Sequence, residues 1–97
     1  MAVYTLIDIT VRDANLYAQY VEQVREVVER HGGEYLTRGG EVTVLSRDWH
    51  PGRVVLIEFP TMDDLRACFA SPEYAALAPL RERSTVSRTI IVEGVAP

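Results

Sequence analysis

The segment Arg53-Val54-Val55-Leu56-Ile57-Glu58-Phe59 constrains this chain more than any other. Its run of β-branched and aliphatic residues, followed by Pro60, reads as a strand. Successive strand side chains point to opposite faces. Val54 and Leu56 therefore point one way and Val55, Ile57 and Phe59 the other, so both faces are apolar. Strands of that kind are covered on both sides. The stretch Val3-Tyr4-Thr5-Leu6-Ile7-Asp8-Ile9 repeats the pattern, with Tyr4 and Leu6 opposing Thr5, Ile7 and Ile9. Whatever sheet these strands build needs two covers.

The rest of the chain supplies one. Asp13 is placed as an N-cap, and Leu16, Tyr17, Tyr20, Val21, Val24, Val27 and Val28 recur at helical spacing. Gly32-Gly33 ends that helix. A second strand is expected from Glu34-Tyr35-Leu36, interrupted at Gly39-Gly40 and resuming as Val42-Thr43-Val44-Leu45. Trp49-His50-Pro51-Gly52 reads as a turn before the 53–59 strand. Thr61 and Asp64 form a capping arrangement over Met62, Leu65, Cys68 and Phe69, and Ser71-Pro72-Glu73 starts a second short helix carrying Tyr74, Leu77 and Leu80 before Arg81. A last strand runs from about Val86 to Glu93, ended by Gly94.

The order is β-α-β-β-α-β, the second helix being broken at Ser71-Pro72. Two split βαβ units of this order give an α+β, ferredoxin-like fold: a four-stranded antiparallel sheet with its helices on one face. It forms a single domain over residues 1–97, without repeat or linker. The other sheet face is too apolar for water, and such a patch marks an interface. A homodimer through the open sheet face, closing into a dimeric α/β barrel, is the expected assembly.

Composition narrows the partners. Ten basic against 14 acidic residues give a formal charge of −4, so no nucleic acid is expected. Apolar runs are too short for a membrane span, and the N-terminus lacks the charged region of a secretory leader. With a lone cysteine, Cys68, the expected location is cytoplasmic. Every basic residue is arginine, which removes Schiff-base chemistry and any lysine base. His31 and His50 lack metal-ligand spacing and no phosphate-loop pattern occurs, so neither metal nor cofactor is expected.

The polar residues that interrupt apolar elements are the candidate site. Glu58 lies inside the most apolar strand, where a carboxylate needs a partner, and it is the best candidate for a catalytic, proton-moving role. Asp8 poses the same question more weakly. Arg81 is a candidate anion anchor or partner of Glu58. Arg38, beside Gly39-Gly40, could serve likewise. Tyr17, Tyr20, Tyr35 and Tyr74 are core or cleft-wall residues whose hydroxyls need partners.

Taken together, Tyr20, Gly32-Gly33-Glu34-Tyr35-Leu36, Arg38-Gly39-Gly40, Arg53 to Thr61, Ser71-Pro72-Glu73-Tyr74, Arg81 and Val92-Glu93-Gly94 resemble the domain of unknown function family 1330 over nearly the whole chain. The resemblance implies membership of the dimeric α/β-barrel superfamily and a cleft between sheet and helices. It implies that Tyr20, Arg38, Glu58, Ser71, Tyr74 and Arg81 are the ligand-binding positions. Related branches include cofactor-independent monooxygenases, lactone isomerases, polyketide cyclases and haem-degrading enzymes. Two departures stand out: Leu45-Ser46 replaces a frequent Glu-Gly, and Cys68-Phe69 falls where a tryptophan is common. The implied function is that of a small-molecule-binding protein. The alternative is a cofactor-independent monooxygenase, cyclase or isomerase acting on a polyketide, aromatic or lactone-like substrate.

Overall fold

The computed structural model describes residues 1–96. The chain runs β1 (Val3–Val11), α1 (Ala14–Arg30), β2 (Glu34–Arg38), β3 (Arg53–Phe59), α2 (Met62–Phe69), α3 (Pro72–Ser84) and β4 (Thr85–Glu93). All pairings are antiparallel, in the order β2-β3-β1-β4. This is the ferredoxin-like α+β fold.

Local chemistry sets the boundaries. Asp13 accepts a hydrogen bond from the Leu16 amide at 3.0 Å and starts α1. The helix ends in a left-handed turn: Gly32 has φ +82°, and the amides of Gly32 and Gly33 bond back to the carbonyls of Glu29 and Val28. Thr61 accepts from the Asp64 amide at 3.1 Å, opening α2. Ser71 accepts from the Tyr74 amide at 3.1 Å, opening α3, with Pro72 in its first turn. α3 passes through Pro79 and carries Arg81 within its last turn. The helix therefore extends one turn beyond the end read from Leu80-Arg81.

The register decides what each face does. Val3, Thr5, Ile9, Val55, Ile57 and Phe59 are buried beneath α1, α2 and α3, and these residues share one parity along their strands. Helix residues Tyr17, Tyr20, Val24, Val27, Val28, Leu65, Cys68, Tyr74 and Leu77 complete the core. The opposite parity — Tyr4, Leu6, Val54, Leu56, Ile90 and Val92 — forms the open face, where Ile90 is 57% exposed. The open face has the apolar character that the two-sided strands imply.

One expected element is absent. Val42 to Leu45 form no strand; residues 40–45 are irregular and exposed, Leu45 almost wholly so. Gly39, at φ +84°, swings the chain off the edge of β3. An apolar alternation without a neighbour to pair with does not make a strand within one protomer. The expected interruption at Gly39-Gly40 divides into two features: the bend at Gly39, and a bulge further back, between Tyr35 and Thr37.

Candidate functional site

The bulge in β2 has a consequence for the site. Strict alternation would put Tyr35 and Arg38 on opposite faces. The register shift instead sets Tyr35 against Ile57 and Arg38 against Val55, both on the helix side, while Thr37 opposes Leu56 on the open face. Tyr35 and Arg38 thereby join Tyr17 and Tyr20, which α1 presents to the same space. On the far wall Ser71 receives the Tyr74 amide and donates its hydroxyl to the Cys68 carbonyl at 2.6 Å. Ser71 thus fixes the α2–α3 junction and aims Tyr74.

Between sheet and helices these walls leave a cleft with two lobes. The inner lobe, about 30 Å³, is bounded by Tyr17, Tyr20, Tyr35, Arg38, Phe69 and Arg81 over Ile7 and Ile57. The outer lobe, about 310 Å³, is bounded by Thr5, Leu65, Phe69, Tyr74, Arg81 and Ile91. Ile7, Phe69 and Arg81 border both lobes. The outer lobe exists because β4 is poorly covered by helices; its helix-side Ile91 is 48% exposed. Phe69 meets Phe59 and Tyr74 edge-on, with centroids 5.8 and 4.9 Å apart.

The polar groups of the cleft are donors. The Tyr20 and Tyr74 hydroxyls lie 3.1 Å apart and share one hydrogen bond, so one proton remains to be placed. The Arg38 guanidinium stacks over the Tyr35 ring at 4.9 Å, and Arg53 over Tyr17 at 5.3 Å. Arg81 donates to Ser87 Oγ at 3.3 Å. Beyond these contacts, Arg38 Nη1, Arg53 Nε, Arg81 Nε and Thr5 Oγ1 are buried and have no hydrogen-bond partner among the described residues. Among the described residues no Asp, Glu or His borders either lobe.

Electrostatics keep the tyrosines protonated. Burial pushes the Tyr20 hydroxyl far above the ordinary tyrosine range, and the neighbouring Tyr74 adds to this while Arg81 opposes it. Burial raises Tyr35 to about 12 against the pull of Arg38. Tyr17 is also raised by burial, opposed by Arg53 and Arg38. At neutral pH the cleft therefore presents hydroxyl donors and fixed cations, and none of these tyrosines can serve as a base.

The sequence-derived candidates divide accordingly. Tyr20, Arg38, Tyr74 and Arg81 come together in the cleft. Ser71 lies behind it as a cap. Glu58 is on the other side of the sheet: it pairs across the strands with Tyr4 and Glu34 on the open face, and its carboxylate raises the Tyr4 hydroxyl pKa through a hydrogen bond and its charge. Glu58 and Arg81 are therefore not paired within the chain: Glu58 is on the open face of the sheet and Arg81, on α3, is on the helix side. Asp8, on the open face as well, accepts from the Gly52 amide at 2.9 Å and lies 3.6 Å from Arg88. His31 bonds the Val27 carbonyl at the end of α1, and His50 lies in the irregular 40–52 segment. Among the described residues no group of three or more His, Cys, Asp or Glu could hold a metal ion, and no helix is long and apolar enough to cross a membrane. Sequence reasoning missed Thr5 and Arg53, although their parity with Ile57 and Val55 places them on the helix side. The sequence places Phe69, which borders both lobes, on the second helix and marks it as a departure from its relatives.

Comparison with known proteins agrees with this architecture. A protein of unknown function from Rhodopseudomonas palustris superposes with a TM-score of 0.80 at 22% identity, covering 99% of this chain and 84% of that one. SnoaB, a cofactor-independent oxygenase from Streptomyces nogalater, gives 0.72 at 15% identity, with 99% and 95% covered. A dimeric protein of unknown function with a ferredoxin-like fold from Bacteroides fragilis gives 0.56 at 13% identity, with 96% of each chain covered. At these identities the likeness is one of fold. No curated protein matches the sequence. The profile of one family spans residues 2–95, and the chain belongs to that family, described as Domain of unknown function (DUF1330).

Proposed function

We propose that this protein binds a small molecule in the cleft between its sheet and helices, and does so as a homodimer. The observation that carries the first part is the set of buried donors left without partners among the described residues: Arg81 and Thr5 border a lobe of about 310 Å³, and Arg38 borders the small inner lobe that adjoins it. Buried polar groups in folded proteins are paired as a rule, and cavities of this size are where small ligands bind. The departure at Cys68-Phe69 falls on the cleft wall through Phe69, so the ligand is expected to differ from those of tryptophan-bearing relatives.

The dimer is supported by the open face and by its charges. Leu6, Leu56, Ile90 and Val92 form an apolar band, continued by the exposed Val42, Val44, Leu45 and Trp49. Glu34 and Glu58 lie side by side at one corner of that face and the exposed Arg88 lies toward the opposite corner. A two-fold axis running between two such faces can set each copy's Arg88 toward the other's acidic pair, which makes a second copy the fitting occupant. The Bacteroides fragilis protein of this fold is described as dimeric.

The enzymatic alternative, a cofactor-independent reaction in the same cleft, draws on the fold likeness to the Streptomyces nogalater oxygenase. The absence of any Asp, Glu or His from the cleft walls favours binding over proton transfer by the protein. Native mass spectrometry of the protein purified from its own host tests the reading. A dimer carrying a small-molecule adduct that is lost on denaturation is expected. A monomer, or a dimer without adduct whose melting is unmoved by the host's small-molecule extract, would overturn it.

A further inference from the structure

Resting on the binding reading, we infer that the ligand is an anion: an apolar, planar molecule whose single carboxylate or enolate oxygen is received by Arg81, with Arg38 reinforcing the field. Arg81 borders both lobes of the cleft, and its Nε–H is buried without a protein partner. Arg38 borders the inner lobe with a second unpartnered donor, Nη1. Two guanidinium groups face one cavity and no acidic side chain borders it, in a protein whose net charge is −4. Buried donors of a charged group are ordinarily hydrogen-bonded. Both arginines are half-buried, and an anion in the cleft would satisfy the donors the chain leaves open. The other donors agree: the Tyr20–Tyr74 pair has a proton to give, and the Thr5 hydroxyl is unused. The remaining wall — Leu65, Phe69, Ile7 and Ile91, with Thr89 as its one further polar residue — is mostly apolar and suits a hydrocarbon body. Arginine is the residue whose planar fork matches a carboxylate.

The test compares two probes of equal shape, 2-naphthoate and its neutral amide, by isothermal titration calorimetry on the intact protein. The acid should bind about tenfold or more tightly than the amide, as hydrogen bonds to charged groups imply. Arg81→Gln should bring the two probes within about threefold, whereas Arg30→Gln, the same charge change on the exposed face of α1, should leave the preference intact. Arg38→Gln should narrow it too, and carries the comparison alone if Arg81→Gln does not fold. Equal affinity of acid and amide, or a preference surviving both cleft variants, overturns the anion assignment and leaves the cleft as a site for neutral ligands. No binding of either probe overturns the assignment and counts against the binding reading as well.

Discussion

Replacing Gly33 by alanine should damage the fold more than replacing Gly32, although Gly32 holds the unusual backbone. Gly32 has φ +82°, a conformation that costs an L-residue about 1–2 kcal/mol. A Cβ there would meet only the Pro60 ring, Cγ at 3.3 Å and Cδ at 3.4 Å. At Gly33 the φ is ordinary, but a Cβ would lie 2.5 Å from Val28 Cγ1 and 2.8 Å from Phe59 Cε1. Both neighbours are fully buried, so neither can swing aside, and overpacking of this kind costs roughly 1–3 kcal/mol. The expectation for Gly33→Ala is the upper part of that range, about 3 kcal/mol. Val28→Ala opens the space on one side, so the double variant should lose about 1 kcal/mol less than the sum of the singles. Urea unfolding followed by circular dichroism, at one fixed protein concentration, reads all five proteins. The turn also sets the offset between Tyr17 and Tyr20 on α1 and Tyr35 and Arg38 on β2, so probe affinity should fall with it. Gly33→Ala as stable as the parent, or strict additivity with Val28→Ala, would refute the packing argument.

Three further outcomes follow from the same geometry. Glu58→Ala and Arg81→Ala, on opposite faces of the sheet, should be additive in stability within about 0.5 kcal/mol, as measured by a double-mutant cycle. Leu56→Glu, on the open face, should yield a folded monomer by light scattering, whereas Ile57→Glu, buried under the helices, should unfold the chain. Burial raises the Cys68 thiol from 9.0 to about 11; the folded state holds that proton longer than the unfolded one, so its stabilising effect is whole below pH 9 and lost as pH rises through 11. About 2 kcal/mol from this thiol should disappear by pH 11, and Cys68→Ala should remove that contribution, leaving the fall above pH 10 that the buried tyrosines cause.

Much of the fold is legible in local chemistry. The caps Asp13, Thr61 and Ser71, the stripe from Leu16 to Val28 and the paired glycines each act within one turn of the chain, and the structure keeps them where the residues place them. Three features were not legible. Val42 to Leu45 carry a strand pattern, yet a strand depends on a partner, and none exists within the protomer. Arg38 reaches the cleft only because of the bulge between Tyr35 and Thr37, which nothing in Tyr35-Leu36-Thr37 announces. Glu58 shares its parity with Val54 and Leu56, which was readable; which parity the helices cover was not, until the burial of Val55, Ile57 and Phe59 decided it. Of the residues singled out, Tyr20, Arg38, Tyr74 and Arg81 share one cleft, whereas Glu58, an acid among apolar neighbours, lies on the opposite face of the sheet.

The account stands most directly on where a bound molecule lies. A crystal structure of the protein with 2-naphthoate measures this. The naphthyl ring is expected between Phe69 and Ile91, with its carboxylate within hydrogen-bond distance of Arg81 Nε. A carboxylate found away from both Arg81 and Arg38, or a ring lodged on the open face beside Tyr4 and Glu58, would contradict the account.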